Sequence, residues 1–170
     1  MKLRATVTLA MVSIILGALL VSAQQAGSPG LLTPDEVKKA LPESVFFRGE
    51  KAPVQLRNAA GARFADGKLL LITLVDNSGY STAIQEKYQG YLITEVKLTI
   101  GDRDLPPGAY GCGVVNGKFL VMDVAANEVL SVDAPPDAQL KRPRPLMLSA
   151  DGDGYQLHLG RNMVRIAAAR

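Results

Sequence analysis

The chain has 170 residues, 48% hydrophobic and 21% charged, with 19 Lys and Arg against 16 Asp and Glu, a single cysteine, a single histidine and no tryptophan. One cysteine excludes an internal disulfide, and one His with one Cys cannot supply the four N/S ligands of a structural zinc site. Charges of both signs are interspersed, so the sequence carries no electrostatic footprint for nucleic acid or for an anionic membrane.

Lys2 and Arg4 precede an apolar run from Ala5 to Val21, which closes on the small residues Ser22 and Ala23. This is the pattern of a secretory signal peptide, and the run is shorter than the roughly 20 residues of a spanning helix. Cleavage is expected after Ala23, leaving 147 of the 170 residues, exported and without an integral membrane span; an uncleaved anchor is the alternative. Loss of Lys2 and Arg4 lowers the net charge from +3 to +1. The expected organisation is a signal peptide over 1–23, a flexible lead over 24–33 and one β-rich domain over 34–170.

"LLTPDEVKKAL" predicts a helix over 34–41. Thr33 serves as N-cap, Pro34 suits the first helical position, and Glu36 completes a capping box. Leu32 can staple onto Val37, and Pro42 stops the helix. Its apolar stripe of Val37, Ala40 and Leu41 must lie on something larger.

From Ser44 onward the apolar period becomes two, with turn signals about every ten residues, which predicts a sandwich or partly open barrel of about eight to ten short antiparallel strands. "LLLITLV" at 69–75 is apolar throughout, as expected of a central strand covered on both faces, with the helix as one cover. "STAIQEKYQGY" reads as a short helix from Thr82, with an alternating strand through Ile84, Tyr88 and Leu92 as the other option. "YLITEVKLTI" at 91–100 alternates as one strand, burying Leu92, Thr94, Val96, Leu98 and Ile100.

Pro107 and Gly108 suit the centre of a type II turn, and Asn116-Gly117 predicts a hairpin joining 109–115 to 118–124. A turn at "AANE" then leads to a strand over 128–133, completing a three-stranded meander. "APPDAQLKRPRP" reads as an extended connection along a sheet edge, because proline supplies no ladder donor. "PLMLSA" and "YQLHLG" flank a turn at "DGDG", and "MVRIAA" follows a turn at Arg161-Asn162.

The chain's one thiol lies in "GAYGCGVV", 108–115. Alternation puts Tyr110, Cys112 and Val114 on the apolar face and Ala109, Gly111, Gly113 and Val115 on the other. Cys112 therefore reads as a small buried hydrophobe; a catalytic thiol needs a base and partial exposure, and nothing in the sequence brings His158 to it. His158 stands opposite Tyr155, Leu157 and Leu159, on the face expected to be wetter. Gly111 and Gly113 allow a close approach to the sheet, by packed protein or by a ligand; Tyr110 and His158 complete the candidate groove.

"DGDG", Asp151 to Gly154, looks like a fragment of a calcium loop but lacks its further acids, and a hairpin turn accounts for it. "KRPRP" offers Arg142 and Arg144 to an acidic partner or forms a solvated linker. Phosphate loops, nucleophile elbows and dinucleotide fingerprints are absent, so no cofactor is implied and no metal or catalytic residue is assigned.

"YLITEVKLTIGDRDLPPGAYGCGVVNGKFLVMDVAANEVLSVD", with "RPRPL" and "YQLHLGRNMVRI" behind it, resembles a block in small exported bacterial β-rich proteins without an assigned activity. The resemblance spans roughly the last 80 residues; it implies export and a β fold and carries no catalytic residues. Together these readings give an exported binding module for a small apolar ligand or a partner strand. The alternatives are a structural component of the cell envelope, and a hydrolase-like enzyme using Cys112 or an acid pair.

Overall fold

A computed structural model describes residues 28–169; the expected export signal and its cleavage after Ala23 lie outside the described residues. Thirteen strands and two short helices follow one another in these residues. The strands are β1 (Gly30–Leu31), β2 (Ser44–Phe47), β3 (Glu50–Arg63), β4 (Leu69–Val75), β5 (Gly90–Thr94), β6 (Leu98–Ile100), β7 (Arg103–Leu105), β8 (Gly108–Val115), β9 (Lys118–Met122), β10 (Glu128–Asp133), β11 (Arg144–Asp151), β12 (Gly154–Gly160) and β13 (Asn162–Ala168). The helices are α1 (Pro34–Ala40) and α2 (Thr82–Gln85).

They form two antiparallel sheets that face each other as a sandwich and do not close into a barrel. The first runs β1-β3-β4-β5-β8-β9-β10, with β2 attached to β3; the second runs β11-β12-β13-β6-β7. Between them lies one continuous core in which Leu70, Ile72, Leu92, Cys112, Phe119 and Val121 of the first sheet meet Leu98, Ile100, Leu157, Val164 and Ile166 of the second. Antiparallel pairing lets each strand commit alternate residues to this core. The strand count exceeds the eight to ten expected because several strands are only two to four residues long.

β4 is central and buried on both faces. α1 covers part of its outer side, with Val37 and Leu41 packed on Leu71. The capping box is complete: Glu36 N–H donates to Thr33 Oγ1 at 3.3 Å and Thr33 N–H to Glu36 Oε2 at 2.9 Å. Leu41 is the C-cap. Part of the stretch read as a flexible lead is in the sheet, since Gly30 and Leu31 pair with Arg63 and Ala62.

The two-residue hairpins form where the backbone can turn left-handed. Asn116 and Gly117, at φ 51° and 74°, join β8 to β9. Arg48 and Gly49, at φ 47° and 88°, join β2 to β3 in a hairpin the sequence reading missed. The meander β8-β9-β10 and the short helix at Thr82–Gln85 are present.

Two expectations are corrected. Residues 91–100 are not one strand: the chain breaks at 95–97, and β5 and β6 belong to opposite sheets. Thr94 stabilises the corner, its Oγ1 donating to Val96 O at 2.7 Å and accepting from Val96 N–H at 3.2 Å. Both halves still bury the predicted side, because a strand that changes sheet across one core keeps the same face inward. Gly108 is the first residue of β8 and is not left-handed, so Pro107-Gly108 is no type II turn; the neighbouring reversal is at Gly101, φ 60°, between β6 and β7.

Candidate functional site

The groove suggested over Gly111 and Gly113 is occupied by the protein itself. β3 loses register with β4 between Gln55 and Ala59, and the β2–β3 hairpin lies on the outer face of the first sheet, where Val45, Phe47 and Ala52 pack with Tyr91 and Met122. Phe47 lands on Gly111, so close that an added Cβ would stand 2.4 Å from Phe47 Cε2. At Gly113 the same atom would stand 2.2 Å from the Lys87 carbonyl oxygen.

Tyrosines hold that cover down. Tyr80 donates its hydroxyl to Phe47 O (3.0 Å) and lies 3.1 Å from Glu50 O, while Tyr91 donates to Phe46 O at 3.2 Å. Tyr88 stacks on Phe47, with centroids 4.0 Å apart and planes at 17°. Tyr110 lies on the other face of β8, packs beside the main core and donates to Pro106 O at 2.9 Å.

Cys112 is fully buried in the sandwich core. Burial pushes its thiol up to about 12, so essentially no thiolate exists at neutral pH. His158 is in another layer: Leu157 and Leu159 point into the core, and His158 lies on the outer face of the second sheet. The sequence predicts a wetter face there, and the structure corrects this: His158 is only 3% exposed. The Pro-rich connection runs alongside, with Pro136 bridged to Asn162 and Met163 N–H donating to Pro135 O at 3.0 Å.

From that connection Asp137 reaches His158, Oδ2 to Nε2 at 3.1 Å. The hydrogen bond from His158 lowers the Asp137 carboxyl below its ordinary value. His158 Nδ1 is buried without a hydrogen-bond partner among the described residues. The arrangement is a tie between connection and sheet, and the structure does not bring Cys112 and His158 together. At "DGDG" the carboxylates of Asp151 and Asp153 are both engaged by Arg165.

Three edge strands, β10 of the first sheet and β7 and β11 of the second, offer little to an incoming strand. β10 is bulged between Glu128 and Leu130 and ends in Asp133, β7 has three residues with Arg103 and Asp104 among them, and β11 is bulged at Pro145. Short, charged or bulged edges resist strand addition.

An open cleft remains at the end of the sandwich where β3 turns into β4, β5 ends and β12 begins. Its volume is about 600 Å³. Phe64 and Tyr155 line it, their rings edge-on at 6.0 Å and 74°, together with Val96, Pro29, Pro107 and Ala168. Arg63, Lys68 and Lys97 share the lining with Asp66, Glu95 and Asp153, so it carries no net charge.

Most of these charges are engaged. Lys68 pairs with Asp66 at 3.2 Å, Lys97 with Asp104 at 2.5 Å, and Glu95 accepts from Leu69 N–H at 2.7 Å. Arg63 pairs with Glu36 at 3.6 Å, but its Nε is buried and has no hydrogen-bond partner among the described residues. The sequence reading missed this cleft. Its only local signal is an aromatic residue beside a turn in "RFADG" and in "DGDGY", and neither stretch reveals that the two turns meet.

No family model, curated protein or solved structure matches the chain. Among the described residues, no helix is long and apolar enough to cross a membrane.

Proposed function

We propose that the protein is an exported, non-catalytic binding module that takes a small apolar ligand into the cleft between Phe64 and Tyr155. The observation that carries this reading is an aromatic-lined opening of about 600 Å³ whose charges balance. Ligand sites typically measure roughly 300–1,000 Å³ and combine apolar walls with a few polar groups. The balanced lining gives the cleft no net attraction for an anion or a cation, which leaves its aromatic and apolar walls to select the ligand. Export rests on the leader-like residues 1–23 and on the resemblance to exported bacterial β-rich proteins.

The blunted edges favour this ligand over a partner strand, and the burial of Cys112 counts against the thiol hydrolase. The test is native mass spectrometry and solvent extraction of protein purified from its own compartment, with Ala168→Trp as the control. Ala168 is exposed on the cleft lining, so tryptophan there fills space without disturbing the core. A small apolar molecule bound to the wild type and absent from the variant is the expected result. An empty wild type, or a stoichiometric protein partner in its place, moves the assignment to an envelope scaffold.

A further inference from the structure

A second cavity, of about 590 Å³, lies at the edge of the sandwich where α1, β3 and β11 meet. Its chemistry differs from that of the first. Lys38 of α1, Arg57 of β3 and Arg144 of β11 all line it, against the single acid Asp35. None of the three cations has a salt bridge among the described residues.

Two irregularities bring the arginines there. Residues 56–58 have no ladder partner on β4, since Gln55 pairs with Leu74 and the next pair is Ala59 with Thr73. That bulge presents Arg57 and leaves Leu56 37% exposed. On the facing sheet, β11 slips between Arg144 and Leu146, so Arg144 stands at a second bulge. Bulges re-aim side chains and recur beside functional sites.

A sphere of the cavity's volume is about 10 Å across, comparable to the Debye length of ~8 Å at physiological ionic strength. All three cations are exposed, so salt screens much of their mutual repulsion at that distance, but the concave wall still holds a net positive charge that favours an anion inside it. Arginine's planar fork matches the oxygens of phosphate or carboxylate, and Leu56, Val37 and Leu146 provide an apolar wall beside the charges.

We propose that the cavity between α1, the β3 bulge and the start of β11 binds a small amphipathic oxyanion, of which a phosphomonoester with an apolar substituent is the type. Arg57 and Arg144 hold the anionic head, Lys38 adds charge, and the substituent covers Leu56. This site is independent of the neutral cleft at Phe64 and Tyr155, which lies on different residues.

The test is titration of the folded chain, followed by amide chemical shifts, with three probes: inorganic phosphate, octyl phosphate and neutral octanol. Inorganic phosphate is expected to shift the amides of 35–38, 56–59, Arg144 and Leu146 saturably, and octyl phosphate to bind about tenfold or more tightly. The double variant Arg57→Glu, Arg144→Glu is expected to lose octyl phosphate binding by at least about tenfold while keeping its far-UV spectrum, since both positions are exposed. Absence of saturable shifts with both phosphates overturns the proposal. Equal affinity of wild type and variant, or octanol binding there as well as octyl phosphate, also overturns it. A neutral probe bound only at Phe64 and Tyr155 bears on the other cleft alone, so the two proposals fail separately.

Discussion

The ring of Phe47 occupies the space that a side chain at Gly111 would need: a Cβ built on Gly111 lies 2.4 Å from Phe47 Cε2 and 2.9 Å from its Cζ. The ring cannot easily withdraw, because Tyr88 is stacked on it at 4.0 Å. Gly111→Ala is therefore expected to destabilise the fold by about 1–3 kcal/mol, the usual cost of overpacking. Denaturant midpoints check this, and the same change made in a Phe47→Ala background should cost clearly less. Equal costs in both backgrounds would show that the contact is not what excludes a side chain.

Tyr88 is fully buried and its hydroxyl has no hydrogen-bond partner among the described residues. An unsatisfied buried hydroxyl is unfavourable, whereas the ring stacking does not need it. Tyr88→Phe should leave stability unchanged or raise it by up to about 1 kcal/mol. A loss above that in urea unfolding would mean that the hydroxyl is satisfied in solution.

Cys112, fully buried and with its thiol pushed up to about 12, should resist iodoacetamide in the native protein at neutral pH and react only as the domain unfolds. Prompt labelling under native conditions would contradict the packed core. Cys112→Ser, which puts an unpartnered hydroxyl into that core, is expected to cost about 1–3 kcal/mol.

Asp137 titrates below its ordinary value of 3.8 in the folded chain, chiefly because its carboxylate accepts a hydrogen bond from His158. A carboxyl depressed on folding stabilises the native state above its unfolded pKa, and that stability is lost as pH falls through the folded value. Thermal melts of wild type and Asp137→Asn should therefore differ at neutral pH and converge below about pH 3.8. Comparing the two proteins matters because other carboxyls, among them Asp104 and Asp123, are also lowered and contribute to the same acid limb. A difference that persists undiminished into acid would break the linkage.

Local chemistry settled a good deal without the fold. Thr33, Pro34 and Glu36 specify the start of α1 within four residues, and Asn116-Gly117 specifies one hairpin within two, because caps and tight turns depend on nearby backbone alone. Alternation likewise determined that Cys112 faces inward and the flanking glycines outward, since successive side chains of a strand point to opposite faces. What lies over each face is a matter of contacts between distant parts of the chain, and only the tertiary structure decided it. Phe47 rather than a ligand covers Gly111, the Pro-rich connection buries His158, and 91–100 divides between two sheets at a corner made by Thr94. The two clefts belong to the same category: Phe64 meets Tyr155, and Arg57 meets Arg144, only after the two sheets have packed, because a surface formed by separate strands has no counterpart in any local stretch of sequence.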